Sequence, residues 1–277
     1  MRHESAGFLV LKKMRKWNVI TTSSILILLL LFLSAEPAAQ KKSTIKGKAT
    51  TTASLNTLTP EEKAAGWKLL FDGKTWDGWR GFRREKAPEE AWVIEEGAIK
   101  RTAIRGEPSP DSGDIITTGQ YENFELQLEW RISPGGNSGI KYLVAEEMVM
   151  IGYSGLGFEF QIIDDERNPD AAQGKNGNRS TGALYDLIAP KNKVMRPAGT
   201  WRQVRLIVRG DDVEHWLDGA KVVEFKLDGA KLKELIADSK YKDIRGFGEV
   251  RKGHILLQDH GDEVWYRNIK LREIPAL

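Results

Sequence analysis

The sequence predicts an all-β body, an antiparallel sandwich or barrel with short helices, and three features of the 277 residues carry that prediction. Apolar and polar side chains alternate with period two over long stretches, as on strands with one buried face. In residues 123–132, Phe124, Leu126, Leu128, Trp130 and Ile132 alternate with Glu125, Gln127, Glu129 and Arg131. Turn signals recur at short intervals, with Asp218-Gly219 inside 213–225 as a hairpin requires and Gly261-Asp262 between two further runs. Beyond the start of the body, only 228–240 has a helical period, with Leu232, Leu235 and Ile236 on one side. Regularly alternating helices and strands, the mark of a parallel sheet, are missing.

In chain order, residues 1–39 read as an export signal. A basic stretch ends at Lys16, an apolar run covers 19–33, and the small residues Ser34, Ala35, Ala38 and Ala39 follow. The run is short for a membrane span of about 20 residues. Cleavage is therefore expected, and an uncleaved anchor, the one route to membrane contact, is the alternative. Either way the body is expected outside the cytoplasm, in a bacterial periplasm, cell envelope or medium. Residues 40–58 carry Lys, Thr, Ser and Ala without an apolar period and read as a disordered linker. The domain is expected over 59–277. It opens with Thr59 as N-cap, Pro60 at the first helical position and Glu62 completing a capping box, until Gly66 ends the helix. Strands are then expected within 67–71, 92–100, 114–118, 124–132, 157–165 and 202–209, in the 213–225 hairpin, and on both sides of Gly261-Asp262. The loop-rich stretch 164–200 is a natural carrier of function on such a scaffold.

Charge and cysteine narrow the function. The chain holds 42 basic and 39 acidic residues. Residues 1–39 contain five of the former and two of the latter, which leaves 37 of each in the remainder. A formally neutral body has no long-range field for a polyanion, so nucleic acid is not an expected partner. There is no cysteine, which excludes thiol catalysis, thiolate-bound zinc, disulfides and a lipidated N-terminal cysteine. Eight of the nine tryptophans lie beyond the leader, and most are expected in the core.

Several motif look-alikes carry nothing. The glycines of 152–157 lead into a strand rather than out of one, Arg209-Gly210-Asp211 sits at a hairpin turn, and no His-x-x-x-His pair or Asp/Asn calcium loop is present. Three strands place polar side chains on the face opposite their apolar ones: Glu159 and Gln161; His254, Gln258 and His260; and Glu129 and Arg131. Brought together as one groove floor, these would supply a kit for sugar binding or proton transfer. Sandwich-fold glucanases write their catalytic strand Glu-x-Asp-x-Glu, whereas here the matching positions are Glu159, Gln161 and Ile163. Two carboxylates are needed for ordinary retaining or inverting hydrolysis. Glu129 or Asp164 would have to provide the second, and no spacing demands it.

Taken in order, several segments resemble the 3-keto-disaccharide hydrolase domain family. They are LFDGKTWDGW (70–79), WVIEEGAIK (92–100), FELQLEWRISPGGNSGIKY (124–142), GFEFQIIDD (157–165), TGALYDLIAP (181–190), AGTWRQVRLIVRG with VEHWLDGAKVVEF (198–225) and GHILLQDHGDEVWYRNIKLRE (253–273). The resemblance covers about 60–274 and implies a concanavalin A-like, laminin-G-like jelly roll that cleaves glycosides oxidised at C3. A C3 ketone acidifies the C2 proton, so one base suffices: the anomeric substituent leaves by elimination, and hydration of the enone completes net hydrolysis. By residue type and face, the base is expected to be His260 or Glu159. Arg131 and Gln161 would stabilise the enolate, Gln258 and Asn137 would orient hydroxyls, and Tyr185 would donate a proton or stack on a ring, with Asp164 also near the substrate. No cofactor is expected. A divalent metal assisting the ketone would take Glu159, Asp164 and His260 as ligands. The alternative function is a non-catalytic, lectin-like carbohydrate-binding module.

Overall fold

In a computed structural model the described residues are 54–103, 113–149 and 155–276. The chain divides into two units, 1–50 and 51–277, and the first, with the predicted leader, lies outside the described residues. Helix α1 (Pro60–Ala64) forms as its cap predicts. Thr59 Oγ1 accepts the Glu62 N–H at 3.2 Å while Glu62 Oε2 accepts the Thr59 N–H at 3.0 Å, and Gly66 follows at φ +82°. The ordered body reaches further back than the expected linker boundary. Asn56 is buried, exchanges hydrogen bonds with Asn268 and donates to the Gly97 carbonyl at 2.8 Å. One amide among polar neighbours leaves no periodic signal, so composition alone assigned it to the linker.

The strands are β1 (Lys68–Leu69), β2 (Trp79–Gly81), β3 (Trp92–Glu95), β4 (Ala98–Arg101), β5 (Ile115–Thr117), β6 (Phe124–Ile132), β7 (Asn137–Val149) and β8 (Gly155–Ile163). After the short α2 (Asp170–Gln173) come β9 (Arg202–Arg209), β10 (Asp212–Leu217), β11 (Ala220–Lys226), α3 (Ala230–Ala237), β12 (His254–Leu257) and β13 (Val264–Glu273). They form two antiparallel sheets of a jelly roll. The larger runs β11-β10-β9-β6-β13-β4-β3 with β1 beside β13, and the smaller runs β2-β5-β12-β7-β8. The stretch 92–100, read as one strand, is a hairpin turning at Glu96-Gly97, both with positive φ. The runs either side of Gly261-Asp262 do not pair with each other, because β12 belongs to the smaller sheet and β13 to the larger.

The core lies between the sheets, where Phe124, Leu126, Leu128 and Trp130 of β6 meet Ile140, Tyr142, Phe158, Phe160 and Leu257 from β7, β8 and β12. Two polar contacts cross it. Tyr142 Oη lies 2.8 Å from His215 Nε2, and Ser138 Oγ lies 2.8 Å from Tyr266 Oη. Each fixes the register of β7, since a one-residue slip would turn its polar member outward and strand the other.

Facing follows from register, and it divides the predicted groove floor between two sides of the molecule. Glu129 and Arg131 lie on the outer face of the larger sheet. There Arg131 is 4.3 Å from the Trp265 ring centre and 5.0 Å from that of Trp201, while Glu129 pairs with Arg267 at 2.7 Å. Glu159 and Gln161 lie on the outer face of the smaller sheet. Arg131 is thus removed from the expected site: alternation tells which residues share a strand face, and says nothing of which sheet the strand joins.

Candidate active site

The outer face of the smaller sheet carries a row of directly opposed residues, Arg80, Ile116, Leu256, Lys141 and Glu159, one from each of its strands. The next row sets Gln161 opposite Gly139, whose carbonyl accepts the Gln258 N–H at 3.0 Å. With strands ~4.8 Å apart, Gln161 and Gln258 stand about 10 Å apart across this glycine. Gly139 is the floor of the site. A Cβ there would stand 2.6 Å from Glu159 Oε1, so the carboxylate of Glu159 lies over the space that glycine leaves open. Asn137, one residue pair further, accepts from Gln161 Nε2 at 3.3 Å.

Glu159 is buried, and burial raises the pKa of its carboxyl above the usual range. Lys141, Lys240 and His260 pull it the other way and Asp114 adds to the rise. Lys141 is also buried, and its Nζ donates to the Gly155 carbonyl at 3.1 Å. Lys240 has its Nζ 4.0 Å from the Tyr185 ring centre. Its side chain reaches solvent, yet partial desolvation by the surrounding groups lowers its pKa, against the pull of Glu159 and Asp186. The edge of β8 is covered: the Tyr185 N–H donates to the Glu159 carbonyl, and the Gly182 N–H to that of Gln161.

The loops named by the sequence supply a wall beside this floor. Tyr185 Oη donates to Asp170 at 2.7 Å, and Arg179 bridges Asp170 at 2.8 Å and Asp186 at 2.7 Å. Burial, then the Asp170 contact, pushes the Tyr185 hydroxyl well above its ordinary pKa, so it is a ring surface rather than a ready proton donor. Tyr241 stacks on Phe247 with ring centres 4.0 Å apart. His260 is exposed, on the turn after β12. That turn is anchored by the buried Asp259–Arg101 pair at 2.7 Å and by Asp262, which accepts the Asn137 N–H at 2.9 Å.

The structure therefore brings together Glu159, Gln161, Asn137, Gln258 and Tyr185, with His260 at the rim. Asp164 is not among them. Burial pushes its carboxyl up, but the Gly135 and Glu166 N–H groups and Arg167 outweigh that and hold it below the usual range, as a loop-closing acceptor. Among the described residues, no group of three His, Asp or Glu side chains is placed to hold a metal ion, so the set Glu159, Asp164 and His260 does not form. Sequence reading missed Lys141 and Lys240. Lys141 was visible in principle, since Asn137, Gly139 and Lys141 alternate with the core-facing Ser138, Ile140 and Tyr142. Lys240 follows a helix in an irregular segment, and no period reports it.

A jelly roll with a buried carboxylate of raised pKa, two lysine charges acting on it and an amide-lined floor is the class that fold and site define. The chain belongs to the 3-keto-alpha-glucoside-1,2-lyase-like domain family, which it matches over residues 66–272. It is 34% identical over 258 residues to a 3-keto-disaccharide hydrolase of Bacteroides thetaiotaomicron, covering 86% of this chain and 88% of the relative. It is also similar to the crystal structure of a "putative glycosyl hydrolase" from Parabacteroides distasonis, at 32% identity and a TM-score of 0.70, covering 80% of this chain and all of that one. A second structure from the same organism is 26% identical with a TM-score of 0.57, over 75% of this chain and 99% of the other.

Proposed function

We propose that this carbohydrate-active enzyme cleaves the glycosidic bond of 3-keto-glycosides, with Glu159 as the base. The observation that carries the reading is the one carboxylate among the described residues whose pKa burial raises, set over Gly139, opposite Lys141 and under the charge of Lys240. Ordinary hydrolysis asks for two carboxylates. The acid nearest in influence, Asp114, has its oxygens on the Gly155 and Asp259 N–H groups at 3.1 and 2.9 Å. A raised pKa makes Glu159 a stronger base at near-neutral pH.

Glu159 takes the C2 proton, and the electron pair moves toward the C3 oxygen, which becomes an enolate. Lys141 and Lys240, with the Gln161 amide, stabilise that charge in the role first given to Arg131. The enolate pair then re-forms the ketone, C1=C2 forms, and the bond from C1 to the leaving oxygen breaks. His260 at the rim protonates that oxygen. Water then adds at C1 and gives its second proton back to His260, while Glu159, its proton exchanged with solvent, delivers one to C2. Gln258 and Asn137 hold hydroxyls, and Tyr185 offers a ring face. Export to the periplasm, envelope or medium belongs to the same reading and rests on the leader sequence.

The test is to incubate the protein in deuterated water with a 3-keto-glucoside and with its unoxidised parent. Release from the keto sugar alone, with deuterium at C2 of the product, is expected. Equal release from both sugars would overturn the reading.

A further inference from the structure

A cleft of about 360 Å³ opens on the outer face of the larger sheet, on the opposite side of the sandwich from Glu159. Its floor is a row of directly opposed side chains, Trp216, Arg205, Gln127 and Lys270, on the adjacent strands β10, β9, β6 and β13. Gln203 and Glu129 form the next row. The segment 54–62, tied down through Asn56, lines one side and the β10–β11 turn at Gly219 lines another. Two other hollows, beside Asp164 and beside Phe158, hold only about 10 Å³ each.

We infer that this cleft is a second, non-catalytic binding site for a neutral oligosaccharide. Its volume falls within the ~300–1,000 Å³ range of small-ligand sites. Three strand steps of ~4.8 Å make the row about 14 Å long, the length of two to three sugar rings. The lining charges balance, with Glu62 and Glu129 against Arg205 and Lys270, so neither a polyanion nor a polycation is favoured. What remains is an indole, amides and paired charges, the groups that meet the apolar faces and hydroxyls of a sugar.

The floor is also held in place before any ligand arrives. Trp216 Nε1 donates to Glu214 at 2.6 Å, Arg205 lies 5.3 Å from the Trp216 ring centre, and Arg205 Nε donates to the buried Glu125 at 2.5 Å. Side chains already fixed lose little entropy on binding. The inference takes only the carbohydrate class from the proposed function and is independent of the chemistry at Glu159.

Native affinity electrophoresis in gels containing dextran, xylan or hydroxyethyl cellulose tests it, with melting curves as a folding control. Wild type and Glu159→Gln should be retarded alike in at least one gel. Trp216→Ala should lose at least five-fold in apparent affinity while turning over a small 3-keto-glucoside at the wild-type rate. If Trp216→Ala unfolds, the Gln127→Ala/Gln203→Ala pair should show the same loss. Unchanged retardation in these variants, loss of retardation in Glu159→Gln, or no retardation in any gel would each overturn the inference.

Discussion

Glu159 and His215 show how burial sets opposite tasks for two titratable groups. His215 is fully enclosed, between Tyr142 Oη at 2.8 Å and the Gly182 carbonyl, and burial pushes its pKa down to about 3. It is a neutral core residue. Below the ordinary histidine pKa of about 6.5 the unfolded chain gains a proton that the folded chain refuses. Stability is therefore lost as pH falls from about 6.5 toward 3, by roughly 1 kcal/mol per pH unit. Urea unfolding of wild type and His215→Gln between pH 4 and 7 should show a shallower slope in the variant; equal slopes would mean His215 is charged in the fold. Lys240 acts on Glu159 by charge. Since that charge lowers the Glu159 pKa, Lys240→Met should move the acid limb of the kcat/KM profile to higher pH. A limb that stays in place would separate Lys240 from the base.

At the scale of strands, glycine and register decide the site. Gly139→Ala puts a methyl group 2.6 Å from Glu159 Oε1 and should cost at least ten-fold in kcat, with little change in melting temperature. On the other sheet, Arg131→Ala removes a cation between the Trp201 and Trp265 rings. It should cost ~1 kcal/mol in stability and leave turnover unaltered. A large loss of turnover at normal stability would return Arg131 to the site. These two residues also mark what could be read beforehand. Period-two alternation located β6, β8, β9 and the β10–β11 hairpin, and it set Glu159 and Gln161 on a face of their own. It did not report that β6 and β8 lie in different sheets, because that depends on long-range pairing. Nor did it report that Gly139 is the space into which Glu159 leans.

On the scale of the whole molecule, the sandwich offers two outward faces, one with the buried acid and its lysines, the other with the Trp216 cleft. The family was legible from ordered segments spread along the chain, and the fold with it. Lys240 and the loop wall were not, since irregular backbone carries no period. The central claim is that one carboxylate on the smaller sheet removes the proton that starts cleavage. Its most direct test is the rate of aglycone release from a 3-keto-glucoside by Glu159→Gln, with melting temperature measured alongside. The account predicts a rate at least 100-fold below wild type in a protein of normal stability. A rate within a few-fold of wild type would contradict it.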